Sequence, residues 1–240
     1  MPANRIKREP ALERRAKRQA ERASKRKQMS CRILIVCEGE KTEPNYFDSF
    51  KTIAHGSFVY DVEAKGFGLN THGVVTKAIE LRSKAQIQYD AVWAVFDRDS
   101  FPANDFDNAI AVAEANDIGV AWSNEAFELW YLLHFQYRNT KMSRDDYKKA
   151  ISDAVNASGR WSGKVSYVYQ KNDLHNYNIM SNCGSQEDAI RNAEALCELF
   201  TDAAYHKHNP CTTVHKLVLQ LLNKDEKLIA EVMDKINSML

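Results

Sequence analysis

Residues 31–37, "CRILIVC", place five apolar positions in a row, Ile33 to Cys37, and the run ends at Glu38. A run of this length is too short for a core helix and lacks the polar alternation of a half-solvated strand. It reads as a strand covered on both faces, which is the habit of parallel sheets. Two further stretches, "FVYDVEA" (58–64) and "YDAVWAVF" (89–96), have strand length and strand composition, and "IGVAWS" (118–123) adds a short fourth. Helical patterns separate them. "TEPNYFDSFKTIA" starts at Thr42, expected as its cap, with Glu43 and Pro44 in the first turn. "HGVVTKAIELRSKA" is capped by Asn70 or Thr71, after the turn "KGFGLNT", and "NDFDNAIAVAEAN" follows the third strand. Regular β-α alternation predicts an α/β fold with a parallel sheet of about four strands flanked by helices.

Beyond Ser123 no further strand stands out. "NEAFELWYLLHF" has Phe127, Trp130, Tyr131 and His134 at helical spacing, and further helices are expected at 143–157, 185–206, 212–223 and 225–239. Residues 158–182 are polar with scattered aromatics and read as a loop. The chain thus divides into a basic arm (1–30), an α/β core (31–123) and a mostly helical extension (124–240) packed on that core. A chain of 240 residues buries roughly 70% of the surface it exposes when unfolded, and needs no staple to fold.

The near-zero net charge conceals an asymmetry. Residues 1–30 carry 11 Lys or Arg against 3 Glu, a balance of +8, whereas the remainder is acidic at −7. The arm, including Arg14, Arg15, Lys17 and Arg18, has no apolar face. It suits a phosphate backbone, by counterion release and without sequence preference, better than a membrane surface. Five cysteines, at 31, 37, 183, 197 and 211, form no CxxC pair. They read as thiols in a reducing, cytoplasmic setting rather than as a disulfide or zinc framework. No apolar stretch approaches 18 residues, and the N-terminus lacks the apolar core of a signal peptide. The absence of GxxxxGK[ST] argues against an ATPase.

The chemistry gathers at strand ends. Parallel sheets present functional groups at the carboxyl edge. Glu38 ends the first strand, and Asp97 and Asp99 end the third, on one side of an extended segment with Arg98 pointing away. Three carboxylates at one edge repel one another unless a proton or cation intervenes. Hard oxygen donors suit Mg²⁺ or Mn²⁺.

An apolar strand ending in Glu-Gly, followed two helices later by one ending in Asp-x-Asp, resembles the Toprim domain of topoisomerases, bacterial primases, OLD-family nucleases and small RNA-maturation nucleases. More closely, the chain resembles the RloB family of bacterial defence-associated proteins. The matching stretches are "VCEGEKTEPNYF" (36–47), "VFDRDSF" (95–101), "SNEAFELWYLLHF" (123–135), "YQK" (169–171) and "NPCTTVHKL" (209–217). It departs from the family pattern at Glu125 and Ala126, where a proline and a small residue usually follow Ser-Asn.

The resemblance implies a Toprim-like fold and a Mg²⁺- or Mn²⁺-dependent nuclease acting on RNA or DNA, in anti-phage defence. Glu38 would be a general acid/base or metal ligand, and Asp97 and Asp99 would hold the metal. Glu43, and with less reason Glu40, would serve a second metal, and Lys41 would contact phosphate. Glu128 is either a supporting carboxylate near the metals or a buried structural acid. Lys171 either binds phosphate and neutralises transition-state charge or is a solvated lysine. His134 reads as a core histidine, and His206 and His208 are a poor metal pair. In "NPCTTVHKL", Thr212 or Thr213 is expected to cap a helix whose N-terminus could also bind phosphate. Regulation by a partner is implied, such as an ATPase encoded nearby, and a homo-oligomer is compatible. Two other classes stay open. One is a non-catalytic nucleic-acid- or partner-binding module. The other is a phosphatase of the haloacid dehalogenase type, whose D-x-D normally closes the first strand rather than the third.

Overall fold

The computed structural model describes residues 29–52, 58–98 and 102–222, with Lys224 and Ala230. The basic arm with Arg14, Arg15, Lys17 and Arg18, the Asp99 position, and all but Ala230 of the helix expected at 225–239 lie outside the described residues.

The apolar run becomes β1 (Met29–Cys37), which pairs in parallel with β2 (Phe58–Gly66) on one side and β3 (Ala91–Asp97) on the other. β4 (Gly119–Asn124) extends the parallel sheet from β3. The sheet order is β2-β1-β3-β4-β5. The fifth strand, β5 (Cys211–Thr212), joins antiparallel to β4 with Ser123 opposite Thr212. It is two residues long, too short to leave a hydrophobic pattern, and its place comes from side chains. Trp122 N–H donates to Thr213 Oγ1 at 2.9 Å, Thr213 N–H returns to Trp122 O at 2.9 Å, and the Ser123 and Thr212 hydroxyls meet at 2.9 Å. The threonines therefore act first as fasteners to β4. Thr213 makes no side-chain cap to the following helix, and Thr212 Oγ1 accepts from Val214 N–H at 3.3 Å.

β1 is buried on both faces, as the unbroken apolar run requires. Ile33, Ile35 and Cys37 enter one core, and Leu34 and Val36 the other. The second core is closed by α2 (Thr71–Lys84) through Val74, Val75 and Ala78, and by α3 (Ala103–Glu114) through Phe106, Ala109, Ile110 and Ala113. Asn70 caps α2, its side chain accepting from Gly73 N–H at 2.8 Å. The first core holds α1 (Thr42–Asp48) and α4 (Glu128–Leu133). It also holds α5 (Arg144–Ala157), α6 (Asn176–Cys183), α7 (Gln186–Cys197) and α8 (Val214–Leu221). Truncating a β1 side chain such as Ile35 to alanine would cost on the order of 2–5 kcal/mol. This is an α/β fold of Toprim-like layout; the helices beyond residue 124 enter mainly the first core, whereas Cys197, Phe200, Tyr205 and Cys211 meet the second.

Three local expectations change. The helix expected over 185–206 ends at Cys197, the loop expected over 158–182 contains the start of α6, and Thr42 is not a cap. It lies inside α1, and its hydroxyl donates instead to Lys171 O at 3.1 Å. All five cysteines are free, with the Cys197 and Cys211 sulfurs 3.6 Å apart.

Candidate metal centre at the carboxyl edge of the sheet

The C-terminal ends of β1 and β3 are tied together. Glu38 N–H donates to Val95 O at 2.9 Å, Gly68 N–H donates to Glu38 O at 2.9 Å, and Arg98 N–H donates to Ser123 O at 2.8 Å. The Glu38 side chain turns along the edge and accepts the Asp97 N–H on Oε2 at 3.1 Å. The chain then turns through Gly39 and Glu40 into α1. A Cβ on Gly39 would stand 2.2 Å from Glu43 Oε2, and one on Gly66 would stand 2.1 Å from Gly39 O. Both glycines are there because the backbone and the Glu43 carboxylate occupy the space a side chain would need.

That turn delivers Glu43 into the interior, in the first turn of α1. Its Oε2 is buried with no hydrogen-bond partner. Burial pushes the Glu43 carboxyl up, and Glu128 pushes the same way; its own backbone N–H, Lys171 and Arg144 oppose. Asp97 is also buried and is raised well above the usual carboxylate range. Burial is the main cause, with Glu43, Glu128 and Glu38 adding to it and Arg144 opposing. Glu128 opens α4, is buried, and accepts from Tyr169 OH at 3.3 Å. Four carboxylates, Glu38, Glu43, Asp97 and Glu128, thus share one field.

Among the described residues, Lys171 and Arg144 face them. Lys171 arrives on a segment pinned to α1, where Thr42 Oγ1 donates to Lys171 O and Asn45 Nδ2 donates to Asn172 O at 3.3 Å. Gly39, Glu40, Lys41, Thr42, Glu43, Lys171 and Asn172 line a cavity of about 410 Å³. Arg144, the first residue of α5, brings Nη2 to 3.5 Å from Asp97 Oδ2. A capping box on Ser143 and Asp146 fixes where α5 starts.

The donor set fits a hard divalent cation. All four acids offer oxygen, Glu43 Oε2 is a buried acceptor that no protein group satisfies, and the mutual repulsion is what a cation would relieve. Among the described residues no three His, Cys, Asp or Glu side chains already stand as a metal-binding group.

Of the residues singled out in the sequence, the structure brings together Glu38, Glu43, Asp97, Glu128 and Lys171. Glu40 and Lys41 are both exposed and both line the cavity. His134 lies in the core, its Nδ1 donating to Trp130 O at 2.9 Å. His206 and His208 have separate partners, Asp107 at 2.5 Å and Asp202 at 3.0 Å. Two participants were missed, Arg144 and Tyr169. The capping box Ser143-x-x-Asp146 was readable and places Arg144 in a first helical turn, but nothing in local spacing ties it to Asp97.

A mostly parallel α/β sheet with Glu38 and Asp97 at its strand tips, and Glu43 and Glu128 brought to them by adjoining helices, defines a class: proteins of Toprim-like layout with an acidic carboxyl edge. The chain belongs to the family of RloB-like proteins, whose family model matches residues 33–221. No curated protein and no solved structure matches it significantly.

Proposed function

We propose that this protein is a metal-dependent nuclease that hydrolyses phosphodiester bonds in RNA or DNA, serving bacterial anti-phage defence. The observation that carries the reading is the buried Glu43 Oε2, which has no hydrogen-bond partner, beside a buried Asp97 whose proton affinity is raised by burial and by its acidic neighbours. Such an arrangement costs stability and is retained where a bound cation repays it. Asp97, Glu38 and Glu43, with Glu128 behind them, are the residues that would hold Mg²⁺ or Mn²⁺; Asp99 is a further candidate outside the described residues.

When bound, the cation would polarise the phosphodiester and stabilise the attacking or leaving oxygen. The chain's own residues do the rest. Lys41 and Lys171, on the rim of the cavity, hold the scissile phosphate's oxygens. Glu38 is the most solvent-accessible of the four acids, which suits it to take a proton from water or to return one to the leaving oxygen. The basic arm, with Arg14, Arg15, Lys17 and Arg18, supplies affinity without sequence preference. No helix among the described residues is long and apolar enough to cross a membrane. A cytoplasmic setting, an ATPase partner encoded nearby and a homo-oligomer remain proposals that accompany this reading.

The test is cleavage by the protein and by an Asp97→Ala/Asp99→Ala variant, offered tRNA, single-stranded RNA, plasmid and single-stranded DNA with Mg²⁺, Mn²⁺ or EDTA. Cleavage that needs metal and vanishes in the variant supports the nuclease and names its substrate. Inertness in every lane, together with no Mn²⁺ binding, overturns it in favour of a non-catalytic binding module.

A further inference from the structure

Two thiols meet on the far side of β4. Cys197 is the last residue of α7 and Cys211 the first of β5, 14 positions apart, and their sulfurs stand 3.6 Å from one another. Cys197 Sγ also donates to Thr212 O at 3.5 Å, which holds it over the strand. Cys211 is buried, whereas Cys197 is partly exposed. A small oxidant therefore reaches Cys197 first, with Cys211 directly behind it. The hydrogen bond from Cys211 is the chief cause that lowers the Cys197 thiol below its ordinary value; burial opposes it, Lys216 adds to it, and Glu194 and Glu198 oppose. Between the two cysteines, the segment 198–210 lies against α3 and β4. His206 N–H donates to Asp107 Oδ1 at 2.9 Å, and Asn124 Nδ2 donates to His206 O at 3.2 Å.

We propose that Cys197 and Cys211 form a peroxide-sensitive dithiol, which closes to a disulfide and braces β5 and the segment before it. Cys197 is the attacking thiol and Cys211 the resolving one. The Cys197 thiolate attacks one oxygen of the peroxide; an S–O bond forms, the O–O bond breaks, and the leaving hydroxide takes up the proton Cys197 gave, as water. Cys211 then attacks the Cys197 sulfur and gives up its own proton. The S–S bond forms, the S–O bond breaks, and a second water leaves. Two electrons pass from the thiols to the peroxide. Closure to a bond of about 2.05 Å asks each sulfur to swing on its own Cα–Cβ bond. Where thiols are kept reduced, such a bond is transient and serves as a sensor. The proposal is independent of the metal-site reading.

The experiment treats the native, fully reduced chain with hydrogen peroxide, blocks the remaining thiols with iodoacetamide in denaturant, and maps tryptic peptides by mass. Trypsin cuts after Arg191, Lys207 and Lys216, so the two cysteines fall in separate peptides, 192–207 and 208–216. The expected product is these two peptides joined, two hydrogens lighter than their sum, with Cys31, Cys37 and Cys183 still alkylated. Dithiothreitol should separate them again. The oxidised protein should melt about 5 °C above the reduced one, because the bond closes a loop. Cys211→Ala should leave Cys197 as a sulfenic acid that dimedone traps, and Cys197→Ser should give neither bond nor trapped sulfenate. If Cys211→Ala does not fold, Cys211→Ser gives the same reading. Five alkylated cysteines after peroxide, or a bond between any other pair, would overturn the dithiol. A Cys197–Cys211 bond that leaves the melting temperature unchanged would overturn the brace.

Discussion

The main-chain N–H of Asp97 donates to the side-chain Oε2 of Glu38 at 3.1 Å. One acid of the cluster is thereby used to position the backbone that carries another. The contact separates two roles of Glu38 that a single deletion would confuse. Glu38→Gln keeps an oxygen acceptor for the Asp97 N–H but loses the charge. It should abolish metal-dependent cleavage while leaving the melting temperature near the wild-type value. Glu38→Ala removes the acceptor as well and should cost about 1 kcal/mol, or roughly 2–4 °C for a chain of this size. Melting curves of the two variants in EDTA check this, and equal melting temperatures would sink it.

Asp97 gives a pH prediction with a definite sign. Its folded-state carboxyl is raised by burial and by three neighbouring acids. Above the ordinary carboxylate range the unfolded chain ionises it readily, whereas the folded protein resists. Its contribution therefore destabilises the metal-free fold at neutral pH, and the penalty is relieved as pH falls and the group takes its proton. Asp97→Asn should accordingly melt higher than wild type in EDTA at pH 7, with the difference shrinking toward pH 4. In Mn²⁺ the order should reverse, because only wild type is stabilised by the ion. An asparagine variant that melts lower than wild type in EDTA at pH 7 would contradict this.

Space at the turn is as restrictive as charge. An alanine at Gly39 would place its methyl group 2.2 Å from Glu43 Oε2, so that carboxylate must leave its position. Gly39→Ala should lose Mn²⁺ affinity to about the extent of Glu43→Gln, at least tenfold for loss of a charged ligand. Glu40→Gln, on an exposed side chain one residue away, should stay within about threefold of wild type, as surface changes generally do. Mn²⁺ titration of the three variants separates the cases. Parallel losses in Glu40→Gln and Glu43→Gln would refute the distinction.

These features differ in how much of them the sequence reveals. β1, β3 and the acids at their tips are legible because a doubly covered strand has an unbroken apolar run and a parallel sheet dictates which end carries chemistry. The inward aim of Glu43 is less legible: it depends on Gly39 and Gly66 letting the loop collapse onto β2, a relation between residues far apart in sequence. Arg144 and Tyr169 reach Asp97 and Glu128 from an extension whose packing direction no local pattern states. β5 is illegible for another reason: its energy lies in hydroxyl-to-backbone bonds with β4, not in a run of apolar residues. Thr42 reads as a cap by type, yet Lys171 O takes its hydroxyl.

The core histidine supplies a pH effect opposite to that of Asp97. His134 is buried against Trp130, and burial pulls it from 6.5 down to about 4. Between those values the unfolded chain binds a proton that the folded protein refuses, so stability is lost as pH falls from about 6.5 to about 4 and levels off below. A shift of that size corresponds to about 3 kcal/mol. His215 on α8, also held near 4 chiefly by burial, adds in the same direction. In urea titrations at steps from pH 7 to pH 4.5, His134→Gln should be less stable than wild type at pH 7, because it disturbs a packed core site. Its stability should also fall less steeply with acid, by about one proton's worth of slope. Parallel wild-type and variant curves would show that His134 is protonated in the folded protein and that the acid sensitivity arises elsewhere.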